Sequence, residues 1–154
     1  ADFGCGTGYF SFPIAKKVGE DGVVFAIDVL KEKLEVVESQ AKILNLNNIR
    51  TQRVNLEKEN GSQLETSSLD WVIMKDVLFQ NEHKDMMLAE AKRILKAGGK
   101  VLIIEWNEYD ASIGPERSLR ISKEKMSELV EKSGLSLVRN LEVGDFHYGL
   151  ILVK

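Results

Sequence analysis

The sequence carries one cysteine, two prolines and two histidines in 154 residues. A single thiol cannot form an internal disulfide, so no disulfide framework is expected and a reducing, cytoplasmic setting is favoured. Neither paired-cysteine spacing nor an H-E-x-x-H pattern occurs, which predicts no metal site. No apolar run approaches the roughly 20 residues of a membrane-spanning helix. The chain opens on Ala1-Asp2-Phe3-Gly4, without the charged and apolar regions of a secretory leader, and none is expected. Charge of one sign is also lacking. The net charge of −3 is mixed along the chain, so a nucleic-acid backbone is not expected as the main partner. What remains is ordinary: 44% hydrophobic and 29% charged residues, enough for one three-layer core. One domain spanning residues 1–154 is expected.

Short β-rich runs alternate with helical ones. Val23–Asp28 is an apolar run ending in an acid, and 31–44 follows with Leu34, Val37, Ala41 and Leu44 at helical spacing. Residues 49–55 and 69–75 read as the next strands, separated by a polar stretch with an Asn60-Gly61 turn signal. Asn81 is a candidate cap for a helix reaching about Lys96, with Met87, Leu88, Ala91, Ile94 and Leu95 on its apolar side and Gly98-Gly99 as its stop. Residues 100–105 are apolar on both faces, as a central parallel strand should be. Ser122 starts a last helix, stopped at Gly134. Two strands, 135–141 and 146–154, then follow with a link too short for a parallel crossover, so they should form an antiparallel hairpin. Asp2 belongs at the carboxyl end of a first strand, yet only Ala1 precedes it, so the chain reads as an N-terminally truncated domain.

The strongest chemical signal is Asp2-Phe3-Gly4-Cys5-Gly6-Thr7-Gly8. A strand end followed by G-x-G-x-G and a helix makes a turn that passes close under a ligand, where a Cβ would collide. The dinucleotide spacing G-x-G-x-x-G differs, since Tyr9 occupies the place of its third glycine. A purely structural glycine turn is the plain alternative. Asp28 lies 20 residues past Gly8, at a strand end, where a carboxylate can accept two hydrogen bonds from a ribose diol. Its plain alternative is a solvated acid favouring the dipole of the following helix.

On these residues the sequence resembles the class I S-adenosylmethionine-dependent methyltransferases, and among them the ubiquinone/menaquinone-biosynthesis type, also called methyltransferase type 11. DFGCGTG resembles the first motif and AIDV the second. LDWVIMKDVLF resembles the fourth-strand motif, and EAKRILKAGGKVLIIEW the helix–turn–strand segment. The end hairpin LVRNLEVGDFHYGLILVK is similar to that family's sheet signature. The resemblance implies a three-layer α/β/α Rossmann-like methyltransferase fold, with a mostly parallel seven-stranded sheet, an antiparallel last strand and most of the first strand missing from this chain. It implies S-adenosyl-L-methionine as cofactor and a small-molecule methyl acceptor. By position, Asp2 orients the methionyl amino group, Phe3, Gly4, Cys5 and Gly6 follow the methionine and ribose, Asp28 holds the ribose hydroxyls, and Val29 lies against adenine. Asn55 stands where the family usually has an acid for the adenine amino group, followed by Leu56. Lys75, with Asp76, ends the fourth strand beside the cofactor's amino-acid part. Ala97 replaces a frequent proline. The acceptor site is expected from N-terminal elements and residues 106–120.

The remaining residues are read more plainly. His83 is expected as a surface histidine, and His147 and Tyr148 as packing or rim residues. Cys5 has no base placed beside it and is explained by its loop position. Trp71, Trp106 and Phe79 are expected as core and pocket wall. The favoured function is methyl transfer, with a non-catalytic binding or assembly module as the alternative. A nicotinamide-dependent oxidoreductase fits the glycine spacing poorly.

Overall fold

The computed structural model describes residues 1–109 and 113–154. The expected acceptor segment 106–120 therefore falls partly outside the described residues. The chain divides into two compact units, Ala1–Asn55 and Leu56–Lys154.

The first unit is a parallel β-α-β-α-β arrangement. Strand β1 (Asp2–Phe3) pairs with β2 (Val24–Asp28), and β2 pairs with β3 (Ile49–Arg53), giving the order β3-β2-β1. Strand β1 is two residues long, with Asp2 opposite Ala26 and Phe3 opposite Ile27. Helices α1 (Ser11–Val18) and α2 (Lys31–Ile43) fill the connections. The predicted helical spacing of α2 holds, since Leu34, Val37 and Ala41 are buried. Leu34 and Val37 pack with Ala26 and Cys5 into one cluster. Asn48 closes the far end of the unit. Its side-chain amide donates to the carbonyls of Ala15 and Gly19 at the end of α1, beside the Gly19 N–H that also reaches Ala15.

The second unit begins with β4 (Leu69–Lys75), followed by α3 (Lys84–Ile94), β5 (Leu95–Trp106), α4 (Lys123–Ser133), β6 (Ser136–Glu142) and β7 (His147–Val153). Strands β4 and β5 are parallel, while β7 runs antiparallel to both β5 and β6, giving the order β4-β5-β7-β6. The antiparallel end hairpin is thus as expected, with β7 beside β5. Ser122 caps α4 by accepting the Lys125 N–H at 3.1 Å, and Gly134 ends it in the left-handed region, φ 69°.

Two boundaries differ from the sequence reading. Asn81 does not cap α3. A short 3-10 turn, Leu78–Gln80, intervenes, and the Asn81 amide donates back to the Val77 carbonyl at 2.6 Å. Nor does Gly98-Gly99 stop α3. The backbone becomes extended at Leu95, which already pairs with Leu69, and the two glycines lie in the irregular start of β5. Gly98 has φ 75°, which glycine adopts without a Cβ clash, so the strand can bend there.

One buried polar network was not legible in the sequence. Glu90 of α3 is buried and accepts from the Ser62 N–H and hydroxyl and from the Arg93 guanidinium. Burial opposes its ionisation, but Arg93 and Ser62 outweigh that and hold its pKa below the usual range. Arg93 also donates to the Leu64 carbonyl, so the network pins residues 62–66 onto α3.

Candidate functional site

In the first unit, the glycine turn leaves β1 and doubles back into α1. Gly4, Gly6 and Gly8 all have positive φ, 68°, 51° and 89°. Their reasons differ. A Cβ on Gly8 would lie 2.7 Å from the Phe12 ring and 3.2 Å from Val37, so Gly8 permits close packing of the turn on α1 and α2. A Cβ on Gly6 would meet nothing within 4 Å. Gly6 therefore faces open space, and its missing side chain leaves a shelf of bare backbone.

Asp28 ties this turn to the end of β2. The Gly6 N–H donates to Asp28 Oδ2 and the Leu30 N–H to Oδ1, both at 2.9 Å. The Cys5 N–H donates to the Ile27 carbonyl, also at 2.9 Å. A carboxylate offers about four acceptor directions, so two remain after these backbone bonds. Val29 and Leu30 follow, 52% and 45% exposed, forming an apolar step beside the acid. Arg53 Nε holds the Val29 carbonyl at 3.1 Å.

Asp2 is buried, and its Oδ2 accepts the Ser11 hydroxyl at 2.6 Å. Burial raises its pKa, with the Ser11 hydrogen bond opposing the shift. A buried carboxylate is stabilised by a cation brought to it. Phe3 and Cys5 point the other way, into the core, so only their backbone can line a ligand. The Cys5 thiol is pushed well above its usual pKa, burial first and the charges of Asp2 and Asp28 adding. That environment is the opposite of an activated nucleophile's.

The first unit therefore brings together Asp2, the glycine turn, Asp28 and Val29. Asn55 lies two residues beyond β3, exposed. Leu56 and Lys75 belong to the second unit, where Leu56 is buried and Lys75 ends β4 half-buried.

The same end of β4 carries residues that the sequence reading undervalued. Asp76 adopts a left-handed φ of 52°, rare for a residue with a side chain. Its N–H donates to the Ile104 carbonyl at 2.9 Å. Its carboxylate pairs with Lys75 and with His147 Nε2, which lies 3.1 Å from one oxygen and 3.3 Å from the other. Glu105 of β5 is fully buried. Its Oε1 accepts the N–H groups of Val77 and Leu78 at 3.1 and 2.7 Å, while Oε2 has no hydrogen-bond partner among the described residues. Burial chiefly, with the Asp76 charge adding, pushes the Glu105 carboxyl up to about 7. The only sequence hint was an acid closing the otherwise apolar run VLIIE. His83, as expected, is peripheral, with its N–H donating to Glu57. Trp71 is 41% exposed, not core as expected, because it sits near the start of β4 where Lys100 lies over its ring.

Comparison with known proteins gives this arrangement its class. A family model described as "Methyltransferase domain" matches residues 1–142. The chain is 31% identical over 109 residues to the demethylmenaquinone methyltransferase of Oceanobacillus iheyensis, covering 70% of this chain and 44% of that protein. It is 29% identical over 104 residues to the arsenite methyltransferase of Aquipseudomonas alcaligenes, covering 65% of this chain and 30% of that protein. Among solved structures, it superposes with a TM-score of 0.90 on a SAM-dependent methyltransferase from Aquifex aeolicus. Sequence identity there is 26%, over 99% of this chain and 79% of the other. The chain belongs to the S-adenosylmethionine-dependent methyltransferase family, with its Rossmann-like, mostly parallel α/β fold and antiparallel last strand. Its cofactor is S-adenosyl-L-methionine. The chain spans less than half the length of these two curated relatives.

Proposed function

We propose that this chain is the cofactor-binding core of an enzyme that methylates a small molecule, and that Asp2, Phe3, Gly4, Cys5, Gly6, Asp28, Val29 and Asn55 hold S-adenosyl-L-methionine. The observation that carries the residue assignment is the Gly6–Asp28 pair: an open backbone shelf, bonded to a strand-end carboxylate that keeps free acceptor directions. The donor set suits the cofactor's parts. Asp28 offers anionic oxygens to a ribose diol, Val29 and Leu30 offer apolar surface to a purine, and buried Asp2 offers charge to an ammonium group. Phe3 and Cys5 contribute through their backbone. Leu56 and Lys75 join the assignment on the family resemblance alone.

The bound cofactor supplies the reactive group, a methyl on a positively charged sulfur. The residues of this chain need only bind and orient. Such positioning can lower a barrier by up to about 7–11 kcal/mol, so the core does not itself reveal the acceptor. The names of the two curated relatives illustrate that range, one giving demethylmenaquinone and the other arsenite. A cytoplasmic setting is part of this reading, supported by the single cysteine. The test is calorimetric titration with S-adenosylmethionine and, separately, with NAD. Binding of the first and not the second is expected. Binding of neither refutes the assignment, and tighter NAD binding reinstates the oxidoreductase reading.

A further inference from the structure

We propose that Ser11 is a positioning residue of the cofactor site: its hydroxyl holds the Asp2 carboxylate charged and turned, so that the site selects ligands carrying an ammonium group over the same nucleoside without one. This rests on the assignment of Asp2 proposed above, and every residue it uses belongs to the first unit.

Three observations carry it. The first is where the hydroxyl goes. Helix α1 begins at Ser11 and has Phe10 at its N-cap, with no side-chain hydrogen bond there. A serine one place earlier could have capped the helix. Ser11 instead stands at the first helical position, fully buried, and its hydroxyl donates to Asp2 Oδ2 at 2.6 Å. Alanine at this place would leave nothing unsatisfied on α1, but it would strip a buried carboxylate of a donor. The hydroxyl is therefore explained by its partner and not by its helix.

The second observation is the state of that partner. Asp2 is 3% exposed, and burial opposes its charge. The largest influence in the other direction is the Ser11 hydroxyl, with the Ser11 N–H acting in the same sense. The charged groups facing Asp2 are the amino group of Ala1, which favours ionisation, and Asp28, which opposes it. The third observation is the arrangement along the turn. Asp2 stands at its entry, Asp28 holds the Gly6 N–H four residues on, and the charges of both raise the Cys5 thiol on the same turn. Between the two carboxylates runs bare backbone, with nothing within 4 Å of the missing Gly6 Cβ. One ligand laid along the turn can meet both, a ribose at Asp28 and an ammonium at Asp2.

A carboxylate offers about four acceptor directions, so a bond from Ser11 leaves others for a ligand. Hydrogen bonding to the charged form favours that form. Once charged and buried, Asp2 draws an ammonium directly or through one bridging water. A neutral, protonated Asp2 would accept a deaminated ligand as readily. Ser11 does not touch the ligand; it acts through Asp2, and no covalent bond changes. A role confined to tying β1 to α1 would weaken all ligands alike and leave the preference between them intact.

The test is a ratio of two affinities, measured by calorimetry on the full-length protein between about pH 5.5 and 7.5, where an α-amino group is charged. The probes are S-adenosylhomocysteine and its deamino analogue, identical but for the missing amino group. The wild type should prefer the first. Ser11→Ala should lower that preference by about 10-fold near pH 6, the share of one charge-assisted hydrogen bond, with the affinity for the deamino analogue little changed. The deficit should shrink as pH rises, because loss of the Ser11 donor raises the Asp2 carboxyl further and its charge then appears only at higher pH. Ser11→Cys, a weaker donor of similar size, should fall between. Asp2→Asn should abolish the preference, and adding Ser11→Ala to it should change the ratio no further. Where Ser11→Ala is too unstable to titrate, Ser11→Cys and Asp2→Asn decide the question by the same ratio. A preference in the Ser11 variants within about 2-fold of the wild type at every pH overturns the proposal, as does an undiminished preference in Asp2→Asn. A wild type that binds both probes equally also overturns it, while the cofactor-binding function stands. A wild type that binds neither refutes the function proposed above.

Discussion

Replacing Asp28 by alanine should do two separable things. Its carboxylate accepts two backbone N–H groups, at Gly6 and Leu30, each at 2.9 Å, and keeps acceptor capacity for a ribose. Hydrogen bonds to a charged group contribute roughly 1.5–3 kcal/mol each. Loss of one such bond to the cofactor already predicts a fall of at least about 10-fold in affinity, equal to about 1.4 kcal/mol. The turn then also loses its tie to β2, and Gly6 must be ordered by the ligand, which adds to the loss. Stability should suffer as well. Two partly accessible N–H groups left to water cost about 1 kcal/mol each, which lowers the melting temperature by about 4–8 °C in a domain of this size. Asp28→Asn separates the two effects: its one amide oxygen can keep one backbone bond but not both, so stability should recover in part and affinity much less. Calorimetry with S-adenosylmethionine and thermal unfolding without it are the measurements. A lower melting temperature with affinity unchanged within about 3-fold would show that Asp28 is only a staple for the turn and refute the ribose assignment.

The glycines should divide by mechanism. Gly8→Ala should unfold the turn, because its Cβ overlaps Phe12, whereas Gly6→Ala should fold with about 1 kcal/mol of strain yet lose cofactor affinity, its methyl standing in the open shelf; equal stability of the two variants in urea titration would refute this division. Glu105 should make stability fall with rising pH. Its carboxyl titrates near 7 when folded and near 4.5 when unfolded, so the folded state holds the extra proton between these values, and stability present below about pH 4.5 is lost as pH rises through 7. The loss is of order 3 kcal/mol, and Glu105→Gln should flatten that part of the profile; a wild-type profile no steeper than the variant's refutes the assignment.

What the sequence disclosed followed from periodicity and from local turn chemistry. The buried positions of α2 and α3 repeat at helical spacing, Ser122 and Gly134 mark both ends of α4, and the four residues between β6 and β7 allow only a hairpin. Each is decided by neighbours in sequence. The contacts that escaped are long-range and polar. Ser11 on Asp2 is an exception only in length, nine residues away; Glu105 on Val77 and Leu78, Glu90 on Ser62, and His147 on Asp76 span 27 to 71 residues. No periodicity encodes such pairings, because each depends on where strands end. The glycine turn shows the same division. Its motif was plain, but the distinction between Gly8, which serves packing, and Gly6, which opens a shelf, required knowing that Phe12 and Val37 lie over one and nothing over the other.

Arg120 offers a last consequence. Its guanidinium donates to the backbone carbonyls of Asn107, Tyr109, Ile113 and Pro115, and it reads no side chain among them. Bonds to main-chain carbonyls do not depend on which side chains those four residues carry. Tyr109 and Ile113, both exposed, could therefore be exchanged for other side chains with these bonds kept. One arginine thus leaves the side chains at these positions free to diversify, because what it grips is common to every amino acid.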